Sequence, residues 1–126
     1  MATRIALLDD DPAFLALLDE LLSAEGYEPY PLLAGPGAYP RLHALAPQAV
    51  VLDIHPARLD ADWAVVALLR RDPALRAVPL LVCCPDALGL RARAAALRAD
   101  GGAVPPKPFD LGALLDTLAA LTGGPR

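Results

Sequence analysis

The sequence predicts an α/β protein in which helices cover both faces of a parallel β-sheet. Short apolar stretches alternate with longer amphipathic stretches along the chain, which is the pattern of repeated βα units. The apolar stretches show no polar alternation, as expected of strands that are buried on both faces. At 126 residues, 56% of them hydrophobic and 5% aromatic, the chain is expected to form one domain over residues 1–126 with a core of Leu, Ala and Val.

The first βα unit shows the pattern most clearly. Residues 4–8 are an apolar strand that ends at three consecutive aspartates, and apolar positions then recur at helical spacing from Pro12 to Ala24. Asp11 is a suitable N-cap for this helix, Pro12 is a suitable first residue, and Gly26 suits the position just beyond its end. Asp11 therefore has a structural role, and the two preceding aspartates need another explanation.

The other predicted elements complete a five-stranded sheet. The second and fifth strands contain prolines, which a sheet tolerates only at its edges. The flavodoxin-like strand order 2-1-3-4-5 places these two strands at the edges. We therefore expect a three-layer sandwich with this order and with helices on both faces. The elements after the first unit are strand 27–33, helix 39–45, strand 49–54, helix 61–71, strand 78–84, helix 87–99, strand 103–106 and helix 111–121.

Composition excludes several classes of protein. Fifteen acidic and 11 basic residues give a formal net charge of −4, which argues against the basic surface of a nucleic-acid binder. No apolar run is long enough to span a membrane, and the N-terminus lacks the features of a secretory signal. The two cysteines, Cys83 and Cys84, are adjacent and fit neither a disulfide framework nor a zinc site. We expect a cytoplasmic protein that binds neither nucleic acid nor membrane.

Polar residues follow several of the predicted strands. Right-handed crossovers place the C-terminal ends of all strands at one rim, so Asp9, Asp10 and Asp53 should meet there, together with Cys84 and Lys107. The first and third strands flank the point at which open α/β sheets bind ligands. Three carboxylates there would repel one another unless a divalent cation neutralised them, and Mg²⁺ prefers such hard oxygen ligands. A lysine ammonium group suits a phosphate oxygen. The pattern therefore predicts a magnesium site at the rim.

Three stretches, "IALLDDDP", "AVVLDIHPARLDAD" and "PPKPFD", carry a resemblance that covers nearly the whole chain. In this order, and each at a strand end, they resemble the receiver domain of two-component response regulators. The resemblance implies that Asp9 and Asp10 bind Mg²⁺, that Asp53 accepts a phosphoryl group and contacts the metal, and that Lys107 contacts the phosphoryl group. The backbone carbonyl of His55 takes the position of a further metal ligand.

The resemblance also implies the function. We expect a stand-alone receiver module, rather than an enzyme, that is phosphorylated on Asp53 and signals through protein contacts. Its partners would be a histidine kinase or phosphotransfer protein and an output protein of unknown identity. The expected oligomeric state is a monomer or a weak dimer.

Four positions depart from the pattern of the family. Cys84 replaces the usual Ser or Thr at the end of the fourth strand, and its thiol is a weak donor. Val104 replaces the aromatic residue three positions before the lysine. Pro56 lies one position earlier than the usual proline and restricts His55 to extended geometry. Ala61 replaces a glycine and disfavours a positive φ. These departures affect the switch more than the phosphoryl chemistry.

Two alternatives remain open. The first is a degenerate receiver that acts as a phosphorylation-independent interaction module. The second and weaker alternative is a small aspartate-based phosphatase, because Asp9-x-Asp11 after a strand faintly resembles the haloacid-dehalogenase-type enzymes. In that hypothesis Asp9 is the nucleophile and Asp11 is the acid. The chain is short for that family, and Pro12 fits a helix start better.

Overall fold

A computed structural model describes residues 2–35, 37–54, 59–85, 95, 98, 103, 106–107 and 111–125. In the described residues between positions 4 and 85, strands and helices alternate as the sequence predicts. The elements are β1 (Arg4–Asp9), α1 (Pro12–Ala24), β2 (Glu28–Leu33), α2 (Ala38–Leu45), β3 (Ala49–Asp53), α3 (Leu59–Arg71), β4 (Leu80–Pro85), β5 (Pro106–Lys107) and α4 (Leu111–Thr122).

The five strands form one parallel sheet with the order β2-β1-β3-β4-β5, so the predicted fold class and strand order are confirmed. Leu8 of β1 pairs with Leu52 of β3, and Asp53 pairs with Cys83 of β4. Because the strands are parallel, all of their C-terminal ends lie along one edge of the sheet. We call this edge the carboxyl rim.

Two apolar clusters lie on opposite faces of the sheet. Leu7 of β1 packs in a cluster with buried leucines of α1 and α4, whereas its neighbour Leu8 packs in a cluster with buried residues of α2 and α3. This alternation follows from the two-residue period of a strand. Full burial of each such side chain contributes about 1.5–3 kcal/mol. The three-layer arrangement is therefore held by both faces of the central strands.

The first helix is capped as its sequence predicts. The Ala13 amide donates a hydrogen bond of 3.0 Å to the Asp11 carboxylate, and Pro12 is the first helical residue. Gly26 follows the helix with a φ of 97°, which favours glycine. Asp11 is therefore used for capping, and its replacement by alanine would cost about 1 kcal/mol.

The edge strand β2 places its prolines where no ladder hydrogen bond is lost. Glu28 and Ala34 donate backbone hydrogen bonds towards β1, at 2.9 and 2.8 Å. The amide positions alternate between the two sides of a strand, so Pro29 and Pro31 occupy positions whose amides would face away from β1. The prolines therefore remove donors from the outer edge, which protects it from pairing with another chain.

Several element bounds differ from those predicted. Helix α3 begins at Leu59, two residues before the predicted start, because the acidic residues of its first turn are favourable at a helix N-terminus. Ala61 consequently lies within a helix. Strand β4 begins at Leu80, two residues later than predicted.

The C-terminal part of the chain is described in fewer places. Ala103 forms a parallel bridge with Leu81, and β5 follows it at Pro106–Lys107. The predicted helix 87–99 lies outside the described residues, except that Ala95 and Arg98 have helical backbone. Of the departures from the family pattern, Pro56 and Val104 also lie outside them. No helix in the described ranges is long and apolar enough to cross a bilayer.

Candidate functional site

Two of the predicted acidic residues are neighbours at the carboxyl rim. Leu8 and Leu52 are register partners, and Asp9 and Asp53 are the next residues of their strands. Both aspartates are buried, with 2% of Asp9 and 7% of Asp53 exposed. The pairing of β1 with β3 therefore brings two carboxyl groups to adjacent positions at the point where the strand order reverses.

The alternation of side chains indicates which face these two groups occupy. Leu8 and Leu52 belong to the cluster beneath α2 and α3. Asp9 and Asp53 follow them directly and are therefore directed to the opposite face, which α1 and α4 cover. Both carboxyl groups thus lie on the same side of the sheet.

The three consecutive aspartates have three different environments. Asp9 is buried, and its Oδ1 accepts a hydrogen bond of 2.7 Å from the Asp10 amide. The side chain of Asp10 is exposed on the bend that follows β1. Asp11 is exposed and caps α1. This answers why like charges occur in succession here, since the backbone turns between one residue and the next.

Strands β4 and β5 bring the remaining predicted positions to the same rim. Cys84 pairs with Pro106, and Pro85 pairs with Lys107. The backbone of Lys107 therefore lies at the end of β5 and that of Cys84 near the end of β4, next to the end of β3. The side chains of Cys84 and Lys107, and the whole of His55, lie outside the described residues.

The adjacent carboxyl groups suit a hard divalent cation. Mg²⁺ is bound in proteins through one or two carboxylates together with water and phosphate oxygens. Asp9 and Asp53 provide two such groups, and each offers oxygen atoms only. Among the residues that the structure describes, no group of three or more His, Cys, Asp or Glu side chains is arranged to hold a metal ion. The site that includes Asp10 and the His55 carbonyl stays a prediction.

A further buried acid, Asp72, which the sequence did not indicate, lies directly after α3. The Tyr39 hydroxyl donates a hydrogen bond to Asp72 Oδ2, and the Ala74 amide donates one of 2.7 Å to Asp72 Oδ1. Nε2 of His43 lies 3.5 Å from Oδ2. The pKa of Asp72 lies below its ordinary value, mainly because the carboxylate accepts the hydrogen bond from Tyr39. The same bond raises the pKa of Tyr39. The Asp-Pro dipeptide after a helix was the sequence signal for a turn here.

Another buried acid, Asp62, lies in the first turn of α3 and is 4% exposed. This residue lies within the predicted helix 61–71, but no pattern in the sequence indicated that it is buried. Its neighbour Asp60 is exposed, as is usual for an acid at a helix start. Asp62 contacts a cavity between α2, α3 and the sheet.

Comparison with known proteins identifies the fold. No protein-family model matches the sequence, and no curated protein matches it. A candidate response regulator from Chloroflexus aurantiacus superposes with a TM-score of 0.79 at 19% identity, covering 98% of this chain and 100% of that one. The receiver domain of a signal transduction histidine kinase from Syntrophus aciditrophicus superposes with a TM-score of 0.76 at 22% identity, covering 98% and 92%.

A third structure gives the same result at slightly higher identity. The N-terminal domain of a response regulator receiver protein from Methanoculleus marisnigri superposes with a TM-score of 0.70 at 25% identity, covering 93% of this chain and 94% of that one. The resemblance seen in the sequence is thus matched by the structure. The chain has the fold of response-regulator receiver domains.

Proposed function

We propose that this chain, which has the receiver fold, is a two-component signalling module that accepts a phosphoryl group on Asp53 in a Mg²⁺-dependent manner. One observation carries the proposal: Asp9 and Asp53 are buried side by side at the carboxyl rim, where the strand order reverses. Open α/β sheets bind their ligands at this point. Two adjacent buried carboxyl groups concentrate negative charge there, which favours a bound cation.

Each residue has a defined part in the proposed reaction. A carboxylate oxygen of Asp53 attacks phosphorus, the bond between phosphorus and the donor breaks, and the donor atom leaves with the bonding electron pair. Asp9, Asp10, Asp53 and the His55 carbonyl would hold the Mg²⁺. When bound, the Mg²⁺ supplies positive charge that offsets the charge of the phosphoryl oxygens. Lys107 would contact one of these oxygens.

The partners follow from the same proposal. The phosphoryl donor would be a histidine kinase or phosphotransfer protein, and the receiver of a histidine kinase is among the structures with this fold. The signal would pass to an output protein through surface contacts, with this chain a cytoplasmic monomer or weak dimer. Asp53 would be modified once per signal, so the module would act as a switch rather than as an enzyme with a released product.

A mass measurement tests the proposal. The protein is incubated with acetyl phosphate and Mg²⁺, and a parallel sample also contains a chelator that removes the Mg²⁺. The intact mass of the protein is then recorded for both samples. We expect one added phosphoryl group only with Mg²⁺. The variant Asp53→Asn should show none, whereas the matched variant Asp60→Asn, which changes an exposed acid of α3, should be modified as the natural chain is. A phosphoryl group retained by Asp53→Asn would contradict the proposal.

The second candidate is an interaction module that works without phosphorylation. It is favoured by Cys84, whose weakly donating thiol stands where the family has a hydroxyl that contacts the phosphoryl group. The same experiment separates the two candidates. If no sample gains mass while Mg²⁺ still binds, the second candidate replaces the first.

A further inference from the structure

The cavity beneath α2 and α3 lies directly behind the carboxyl rim. Its volume is about 170 Å³, and it is lined on the sheet side by Leu8 and Leu52. These are the residues that immediately precede Asp9 and Asp53, and their side chains lie on the other face of the sheet. The cavity is therefore separate from the two carboxyl groups of the proposed phosphorylation site.

The walls of the cavity are mostly apolar. Ala38 and Leu42 of α2 and Val65 of α3 are among the lining residues. Ligand sites in proteins are typically apolar cavities with a few fixed polar groups that orient the ligand. An apolar lining alone would select hydrocarbon groups without distinguishing among them.

Asp62 supplies an acidic group. It is among the residues that line the cavity, and only 4% of it is exposed; Tyr39 also lines the cavity, with its hydroxyl bonded to Asp72. A carboxylate has two oxygens with about four acceptor positions and no donor, so it can accept hydrogen bonds from a ligand in addition to those from the protein. A carboxylate at the wall of an apolar cavity favours a ligand with an N–H donor and a positive charge.

The volume limits the size of the ligand. A cavity of about 150 Å³ with leucine, isoleucine and phenylalanine walls binds benzene in another protein. The present cavity is slightly larger and also opens to the surface beside Leu68, which is 43% exposed. It therefore has room for one small ring or a short branched chain with an amino group attached.

We propose that this cavity is a binding site for a small primary amine with a compact hydrocarbon body, whose ammonium group is held by Asp62. The site is independent of the phosphorylation of Asp53, and its occupant contacts the face of the sheet opposite the proposed receiver site.

The probe for this proposal is benzylamine, with benzyl alcohol as the uncharged control of nearly equal shape. Titration calorimetry measures both affinities, and methyl NMR spectra locate the binding. We expect benzylamine to bind at least about tenfold more tightly than benzyl alcohol. Methyl signals of Leu42 and Val65 should shift, whereas those of Leu7 and Leu18 on the other face should not.

Two variants test whether the charge of Asp62 causes the preference for the amine. Asp62→Asn should reduce the affinity for benzylamine about tenfold and change that for benzyl alcohol less than about twofold, because the amide has almost the same shape. Asp60→Asn, which removes an exposed acid on the same turn, should leave both affinities unchanged. If Asp62→Asn fails to fold, the ratio of the two affinities on the natural chain decides the question.

Three results would overturn the proposal. The first is that neither probe binds. The second is equal affinity for the amine and the alcohol. The third is binding that shifts the methyl groups beneath α1 and α4 instead of those beneath α2 and α3.

Discussion

Buried acids occupy two contrasting regions of this molecule. After α3, Asp72 is surrounded by donors, with the Tyr39 hydroxyl and the Ala74 amide bound to its two oxygens. At the carboxyl rim, the strand register instead places the buried Asp9 and Asp53 at adjacent strand ends, and the Asp10 amide donates to Asp9 Oδ1. The two regions have similar burial, but at the rim two acids follow paired residues of neighbouring strands.

The difference is the one expected between an acid that stabilises the fold and an acid that binds a ligand. At Asp72 the surroundings favour the charged form, and the folded state is stabilised by it. Like charges at adjacent positions raise the free energy of the folded state, and a protein retains such an arrangement where it binds a cation. The contrast therefore supports a role in ligand binding for Asp9 and Asp53, and a role in stability for Asp72.

The largest effect is expected from removal of the Tyr39 hydroxyl. Tyr39→Phe deletes the main donor to Asp72 and keeps the ring, so a buried carboxylate loses its stabilising hydrogen bond. The melting temperature should fall by about 5 °C or more. Calorimetric or circular-dichroism melting curves measure this. His43→Gln is the matched control, because His43 is 53% exposed and 3.5 Å from the carboxylate, and it should change the melting temperature much less. Equal losses in the two variants would contradict the assignment.

A smaller effect of opposite sign is expected at the rim. Without added metal, Asp53→Asn removes one of two adjacent charges and should raise the melting temperature by about 3 °C. Millimolar Mg²⁺ should stabilise the natural chain, by about 1.4 kcal/mol at ten times the dissociation constant, and should stabilise the variant much less. If Asp53→Asn lowers the melting temperature in the absence of metal, Asp53 stabilises the fold as Asp72 does. The proposed difference between the two acids is then wrong.

The fold could be predicted because its signals are local. The uninterrupted apolar stretches identified the central strands, and the prolines at positions 29 and 31 identified an edge. Asp11 and Gly26 marked the ends of α1 to the residue. Each of these signals depends on the backbone geometry of a few consecutive residues, which tertiary contacts did not override.

The site could be predicted only as far as the strand register. The alternation of side chains and the pairing of β1 with β3 follow from the strand order, and they suffice to place Asp9 beside Asp53. The burial of Asp62 and the contact of Tyr39 with Asp72 depend on how α2 and α3 pack against each other. Residues 33 positions apart along the chain meet there, and no periodicity in the sequence indicates that they do.

The smallest effect is expected in the pH dependence of stability, and it has two limbs. The folded-state pKa of Asp72 is lowered, so its contribution is complete above the pKa of an unfolded aspartate and is lost as the pH falls through the folded value. The pKa of Tyr39 is raised, so its contribution is complete below the pKa of an unfolded tyrosine and is lost as the pH rises through the folded value. Between these limits the contribution of the contact to the free energy of unfolding should be independent of pH.

Unfolding by urea at a series of pH values measures both limbs. The difference in free energy of unfolding between the natural chain and Tyr39→Phe should be constant near neutrality and should shrink at both extremes, because the variant lacks the contact that titrates. Other acids titrate in both proteins, and the subtraction removes their effect. A difference that stays the same over the whole pH range would contradict the assigned contact between Tyr39 and Asp72.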